Sequence, residues 1–384
     1  MLELSLRSKN SITTTDASTT DALAKGYYGV RDGRSIKLSL EEALYLIDAR
    51  NASCKKDGQA VSFSSLASLF SGSRKFMARY FTYKDWRDRG LIAIPSSREY
   101  TKQKAPTSKD YPTSSLKLPS KKLRGTFFSA DLVSVVEDEK EGRALYEKFW
   151  IGQYGSYKAA NRGSMSKLDI FETLFLVDRG ILFLENATRR DVMGIATQRR
   201  TDFTSLYEVY KDWREKGYVI KTGFKFGTHF RVYFPGAKPM EAGGDQTHSK
   251  HVIQVFPKDS KLLISEWARA IRVAHSVRKT LILAIPGKTG AGRQDVDFVL
   301  YHRHGGEADS PDKSSPRFAM LSLGEEEYIG GQEFAKAINE SNRKGLELLL
   351  AIADRETAVT YYKVKQIRLP GSRHDYFEIE WMQP

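Results

Sequence analysis

A mixed α/β (α+β) fold built from repeated units, each a mixed sheet flanked by helices, is predicted by two internal repeats and by how apolar residues recur within them. The segment KLSLEEALYLIDA at 37–49 echoes KLDIFETLFLVDR at 167–179, and YKDWRDRG at 83–90 returns as YKDWREKG at 210–217. Both copies keep apolar residues at helical spacing and close on a glycine suited to a helix C-terminus. Further on, HVIQVFPKDSKLLISEWARAIRVAHSVRKTLILAI at 251–285 matches FAMLSLGEEEYIGGQEFAKAINESNRKGLELLLAI at 318–352, at a constant spacing of 67 residues. Each reads as strand, loop, amphipathic helix and buried strand, and this alternation implies a mixed sheet with helices packed on it.

Taken in chain order, the repeats predict an incomplete first unit at 1–95 and a linker at 96–123. They continue with the N-terminal domain of a complete unit at 124–222, its second domain at 223–310, and a C-terminal partial unit at 311–384. The linker holds Pro106, Pro112 and Pro119 among many Ser, Thr and Lys, and from 101 to 125 it has seven basic residues against the single acid Asp110. Such a composition reads as a solvated, basic connector.

The chain carries 61 Lys+Arg against 47 Asp+Glu, a formal charge of +14. A surplus of this size favours a polyanionic partner, because neutralising phosphates releases counterions. No apolar run is long enough to cross a membrane, so no membrane partner is expected. The N-terminus lacks an apolar signal core, and the one cysteine, Cys54, excludes an internal disulfide framework and a cysteine-based zinc site. A reducing cytoplasm is therefore the expected compartment. There is no phosphate-binding loop or dinucleotide fingerprint. His302 and His304 form an HxH pair without convincing further ligands. Neither a metal nor another cofactor is expected.

The residues that carry chemistry fall between Gly223 and Ile285. Tyr233 ends the block GFKFGTHFRVY, His248 opens HSKHVIQVF, and Lys279 sits in HSVRKTLILAI. A tyrosine, a histidine and a lysine are a base, an acid and a fixed cation, the parts that RNA cleavage without a metal requires. His251 is the nearest alternative to His248, since it too precedes the apolar run. The C-terminal repeat supplies a control. At the spacing of 67 residues Ser315 stands for His248 and Leu346 for Lys279, so only the middle unit is equipped for chemistry.

The blocks GFKFGTHFRVYFPG, HSKHVIQVFPKD and WARAIRVAHSVRKTLILAI, together with LSLEEALYL and YKDWR in the N-terminal modules, resemble the archaeal tRNA-splicing endonucleases in a three-unit fused form. The resemblance implies that 223–310 is a catalytic nuclease domain and that the partial units are structural. It implies cleavage of precursor tRNA at bulge-helix-bulge exon–intron junctions. A ribose 2′-OH attacks the adjacent phosphate and leaves a 2′,3′-cyclic phosphate and a 5′-OH. Tyr233 is then the general base, helped by Arg231 and Lys279; His248 is the general acid, and Lys279 stabilises the transition state. It also implies that Arg272 stacks on a bulged base with a second arginine, for which Arg303 is the candidate. A homodimer is implied, fixed by an acidic loop carrying Asp354 and Glu356 that meets the basic loop PGKTGAGRQ of a middle unit. The insertion between Gly152 and Lys167, with Lys158 and Arg162, is a further candidate for RNA contact. The alternatives are a non-catalytic RNA-binding subunit and a metal-dependent nuclease, although the chain lacks clustered acidic ligands for the latter.

Overall fold

The computed structural model describes residues 2–7, 11–100, 108–156, 162–240, 247–288 and 295–384. Helices α1 (Ala17–Lys25), α2 (Leu40–Ala49) and α3 (Phe76–Asp88) belong to the first module, and α4 (Glu139–Phe149), α5 (Ile170–Asp178) and α6 (Phe203–Glu215) to its second copy. In each copy these helices accompany a small mixed sheet, one within 3–60 and one within 123–184. The capping boxes explain where α2 and α5 start. Ser39 with Glu42, and Asp169 with Glu172, exchange side-chain and backbone hydrogen bonds across the first turn. Gly90 and Gly217, each closing a YKDWR helix, adopt φ of 76° and 86°, a region that L side chains avoid.

Eleven further strands of the described residues build one large sheet. Its strands are β1 (Ala93–Pro95), β2 (Ser108–Asp110), β3 (Val219–Thr222), β4 (Phe230–Tyr233), β5 (His251–Val255), β6 (Thr280–Ile285), β7 (Phe298–Leu300), β8 (Phe318–Gly324), β9 (Glu347–Ala353), β10 (Val359–Arg368) and β11 (Asp375–Met382). The spatial order is β3-β4-β5-β6-β11-β10-β9-β8-β7-β1, with β2 added beside β10. Helix α7 (Ile264–Ser276) crosses between β5 and β6, and α8 (Gly331–Arg343) between β8 and β9. Both strand pairs are parallel. The expected strand–helix–strand repeat and the mixed α/β class are both present.

Alternation along the strands divides the core into three parts. Leu281, Leu283, Leu348 and Leu350 face a layer holding Trp267 of α7 and Phe334 of α8. The other face splits in two. Ile282 and Ala284 pack with Trp213 of α6, whereas Leu349 and Ala351 pack with Trp86 of α3. Each tryptophan is fully buried, and deleting a side chain of that size costs about 3–5 kcal/mol.

The first module therefore closes on the C-terminal half. β1 pairs with β7 (Ala93 opposite Leu300), and Thr82 on α3 meets Ser322 on β8 through a buried 2.7 Å hydrogen bond. Two expectations need correction. The stretch 96–123 is not simply a solvated connector. Ser108–Asp110 extends the sheet in parallel with Gln366–Arg368, and Tyr111 behind it is buried. The Tyr111 hydroxyl donates to Glu378, which also accepts from Lys109 at 2.9 Å. The docking site lies on distant strands, so local composition carries no trace of it. The boundary expected after residue 310 also fails for the sheet. Phe298–Leu300 pairs with β8 and β1, so the C-terminal half begins before Phe298.

Candidate active site

Three adjacent strands, β4, β5 and β6, bring the sequence-selected residues to one end of the sheet. β4 runs antiparallel to β5 with Val232 opposite His251, and β5 runs parallel to β6 with His251 opposite Thr280. Tyr233 is thus the last residue of β4, His248 lies just before β5, and Lys279 just before β6. Lys279 Nζ donates to the Ser249 carbonyl, which ties the lysine to the segment carrying His248. The same ammonium lies 4.8 Å from the Phe226 ring centroid. Burial, and then the charge of Arg231, lower the Lys279 pKa.

Tyr233 is buried against Trp150, with ring centroids 4.5 Å apart, and the Arg231 guanidinium lies 5.9 Å from its ring. His248 is exposed, as a group exchanging protons with a substrate should be. The alternative, His251, is buried. It sits between Tyr111 and Phe234, with Nε2 3.6 Å from Glu378. Burial alone would raise the Glu378 carboxyl. The nearby His251 imidazole, with hydrogen bonds from Tyr111 and Lys109, instead brings it down to about 2. His251 is thus part of a clasp joining the 108–111 segment, the middle unit and the C-terminal strand.

Backbone strain accompanies Lys279. Arg278, immediately before it, holds φ at 55°, where the C-terminal copy has Gly345 at 73°. A left-handed non-glycine of this kind costs about 1–3 kcal/mol, and such residues cluster at functional sites.

Tyr233 borders a cavity of about 290 Å³ that also touches Trp150, Gln153, Lys167, Lys221 and Arg231. Its inner wall is a buried charge network. Glu172 Oε1 accepts from Lys221 Nζ at 2.6 Å and from the Gly152 N–H at 2.9 Å. Asp169 beside it is raised by burial and by the Glu172 charge. Lys279 borders a different groove, shared with His275, Glu380 and the half-exposed Trp381.

The other selected residues are scattered. Arg272 is exposed on α7 and borders a groove of about 350 Å³ with Tyr362 and Trp381. Arg303 donates to the Arg89 carbonyl at 2.9 Å, at the end of α3. Tyr362 and α3 belong to opposite faces of the sheet, so Arg272 and Arg303 do not meet within one chain. Asp354 and Glu356 lie in the exposed β9–β10 turn, where Asp354 Oδ1 accepts the Glu356 and Ala358 N–H groups at 2.9 Å. Neighbouring Arg355 pairs with Glu325 and Glu326. Arg162 is exposed and its carbonyl accepts from Ser156, whereas Lys158 lies outside the described residues, as does most of the PGKTGAGRQ loop. Lys288, its last described residue, donates to the His374 carbonyl at 2.7 Å. Among the described residues no group of three or more His, Cys, Asp or Glu could hold a metal, and no helix is long and apolar enough to cross a membrane.

Sequence reasoning missed Trp150, Lys221 and Glu172. A signal for the first was present. FWIG at 149–152 occupies the place of GYYG at 26–29, and in both a non-glycine takes a left-handed turn, Trp150 at φ 48° and Tyr27 at 59°.

Comparison with known proteins agrees with this architecture. A family model for the tRNA intron endonuclease catalytic C-terminal domain matches residues 203–293, and one for the N-terminal domain matches 3–67. A tRNA-splicing endonuclease of Methanopyrus kandleri is 36% identical over 166 residues, which are 42% of this chain and 88% of that protein. That of Thermococcus kodakarensis is 34% identical over 168 residues, 43% of this chain and 88% of the relative. The tRNA-splicing endonuclease of Methanosarcina acetivorans is 26% identical over 329 residues, 71% of this chain and 93% of the relative.

Proposed function

The chain belongs to the tRNA-splicing endonuclease family and is an endonuclease that cleaves tRNA introns from precursor tRNA, and from that premise we propose that Tyr233, His248 and Lys279 carry out the cut. The observation that carries the proposal is their convergence at one end of β4, β5 and β6, with Lys279 bonded to the carbonyl next to His248. Tyr233 takes the proton of a ribose 2′-OH. The 2′ oxygen bonds to phosphorus, the bond to the 5′ oxygen breaks, and His248 gives that oxygen its proton. Lys279 balances the extra negative charge of the five-coordinate phosphorus, an electrostatic contribution of about 3–4 kcal/mol for one well-aimed donor. The products are a 2′,3′-cyclic phosphate and a 5′-OH. Exposure of His248 and the engagement of His251 with Glu378 favour His248 as the acid.

The substrate feature recognised is the bulge-helix-bulge fold at the exon–intron junction, with Arg272 on a bulged base. Arg303 would join it only from a second chain, because the two lie on opposite faces of one sheet. Two chains form the working enzyme. The exposed Asp354–Glu356 turn of one meets the basic 286–294 loop of the other, a complementarity that like loops lack. Lys158 and Arg162, on the insertion beside Gly152, extend the RNA-contacting surface, and the cytoplasm is the working compartment. The test is cleavage of a precursor tRNA in EDTA by the wild-type protein and by His248→Ala, with analysis of the new ends. Cyclic phosphate ends and a loss of at least about 10²-fold in His248→Ala are expected. Survival of the original rate in that variant would refute the assignment.

A further inference from the structure

The cavity beside Tyr233 has a use that the cleavage step does not account for. At about 290 Å³ it lies near the lower end of the range for small-ligand sites. One wall is the Trp150 ring, half-buried and 4.5 Å from Tyr233. The rim carries two cations, exposed Lys167 and half-buried Arg231. The inner wall is acidic, with Asp169 and Glu172 balanced by Lys221. A phosphate would be held at the rim and opposed further in. A flat neutral ring bearing N–H donors suits the interior, since carboxylates accept from amino groups.

The second copy shows which of these residues the fold needs. There Gly29 N–H donates to Glu42 at 3.0 Å, as Gly152 does to Glu172, and Arg98 pairs with Glu42. The buried glutamate and a cation against it therefore belong to the scaffold. Trp150 and Arg231 do not. Their counterparts are Tyr27 and Val299, and the Tyr27 hydroxyl donates to Asp312 at 2.5 Å. Asp169 shares the helix-cap role of Ser39 and adds a carboxylate to it. Lys167 keeps a counterpart in exposed Lys37, whereas the indole face of Trp150 and the Arg231 cation are present in the copy that has His248 and Lys279 and absent from the copy that lacks them.

We infer that this cavity is a nucleobase pocket in which Trp150 stacks an unpaired base next to the cleaved phosphate, while Arg231 and Lys167 hold the flanking backbone. The inference rests on the reading that Tyr233 acts at the cut. It assigns base recognition to the N-terminal domain of the catalytic unit, with preference for a base carrying an exocyclic amino group.

The test uses the full-length protein and a short bulge-helix-bulge RNA. Each unpaired nucleotide is replaced in turn by an abasic ribonucleotide, which keeps the 2′-OH. Single-turnover rates are measured for wild type, Trp150→Ala, Trp150→Phe and Lys167→Ala. At one position the abasic change should slow the wild-type enzyme about tenfold or more, the worth of one stacked base. Trp150→Ala should slow cleavage of intact RNA similarly and add little to the abasic loss, and Trp150→Phe should restore most of the rate. Lys167→Ala should raise KM more than it lowers kcat. Losses that multiply at every position, or a Trp150→Ala enzyme at wild-type rate, overturn the pocket. If Trp150→Ala does not fold by thermal melting, Trp150→Leu, which keeps an apolar side chain without the π face, must show the same non-additive loss. A wild-type enzyme that leaves no cyclic phosphate would instead count against the cleavage mechanism itself.

Discussion

Residues 108–288, and the pair of segments 2–100 and 295–384, make the same architecture from different side chains. Corresponding hydrogen bonds fix the correspondence. Lys279 N–H donates to the Ala274 carbonyl as Leu346 N–H does to Ser341, and Thr280 to Lys250 as Glu347 does to Arg317. Tyr233 has a counterpart in Tyr301, which directly follows β7 as Tyr233 closes β4. Keeping the tyrosine while losing the histidine and lysine indicates that the aromatic position also serves packing. The cations and the imidazole are what the catalytic copy adds. The second copy is assembled from the two ends of the chain, so the first module has a partner in the same molecule.

One matched position where the copies differ in charge sharpens this comparison. The Val255 N–H donates to His229 Nδ1 at 2.9 Å, and the equivalent Ser322 N–H donates to Asp297 at 2.8 Å. Burial, with the Arg200 charge, lowers His229 to about 4, whereas burial raises Asp297. The signs are opposite. Between pH about 6.5 and about 4 an unfolded chain protonates position 229 and the folded chain does not, so stability falls as pH drops, by up to about 3 kcal/mol in total. At Asp297 the unfolded chain loses its proton first, so stability falls as pH rises from about 4. Urea unfolding across pH 4–7 should show a shallower acid loss in His229→Gln and a steeper one in Asp297→Asn. Parallel shifts in the two variants would contradict the assigned environments.

A smaller effect comes from the buried Thr82–Ser322 pair, whose counterparts are Val209 and Val255. Thr82→Val leaves the Ser322 hydroxyl without its partner and should cost about 1–3 kcal/mol, while Thr82→Val with Ser322→Val should recover most of that. Equal losses in the single and double variants would mean that the two copies do not share this packing.

Much of the fold was legible because it rests on local pattern. The apolar periodicity and the repeat spacing predict both strand–helix–strand units and the equivalence of Lys279 with Leu346. The order of Tyr233, His248 and Lys279 was legible as well. Features built from distant pairs were not. Tyr111 reads as a linker residue, because its partner Glu378 lies on the last strand. Phe298–Leu300 is too short to announce itself, and only its pairing with β8 and β1 reveals Tyr301 as the second tyrosine. Arg303 shares residue type with Arg272, but which sheet face each occupies depends on register, and a lone arginine in a hairpin does not specify register.

The central claim is that one of two equivalent copies does the chemistry, and paired substitutions at the two matched tyrosines test it most directly. Single-turnover cleavage of a precursor tRNA is measured for Tyr233→Phe and for Tyr301→Phe. The account predicts a loss of about 10²-fold or more for Tyr233→Phe, as expected for a general base, and a rate within about twofold of wild type for Tyr301→Phe. Equal losses in the two variants, or a loss confined to Tyr301→Phe, would contradict it.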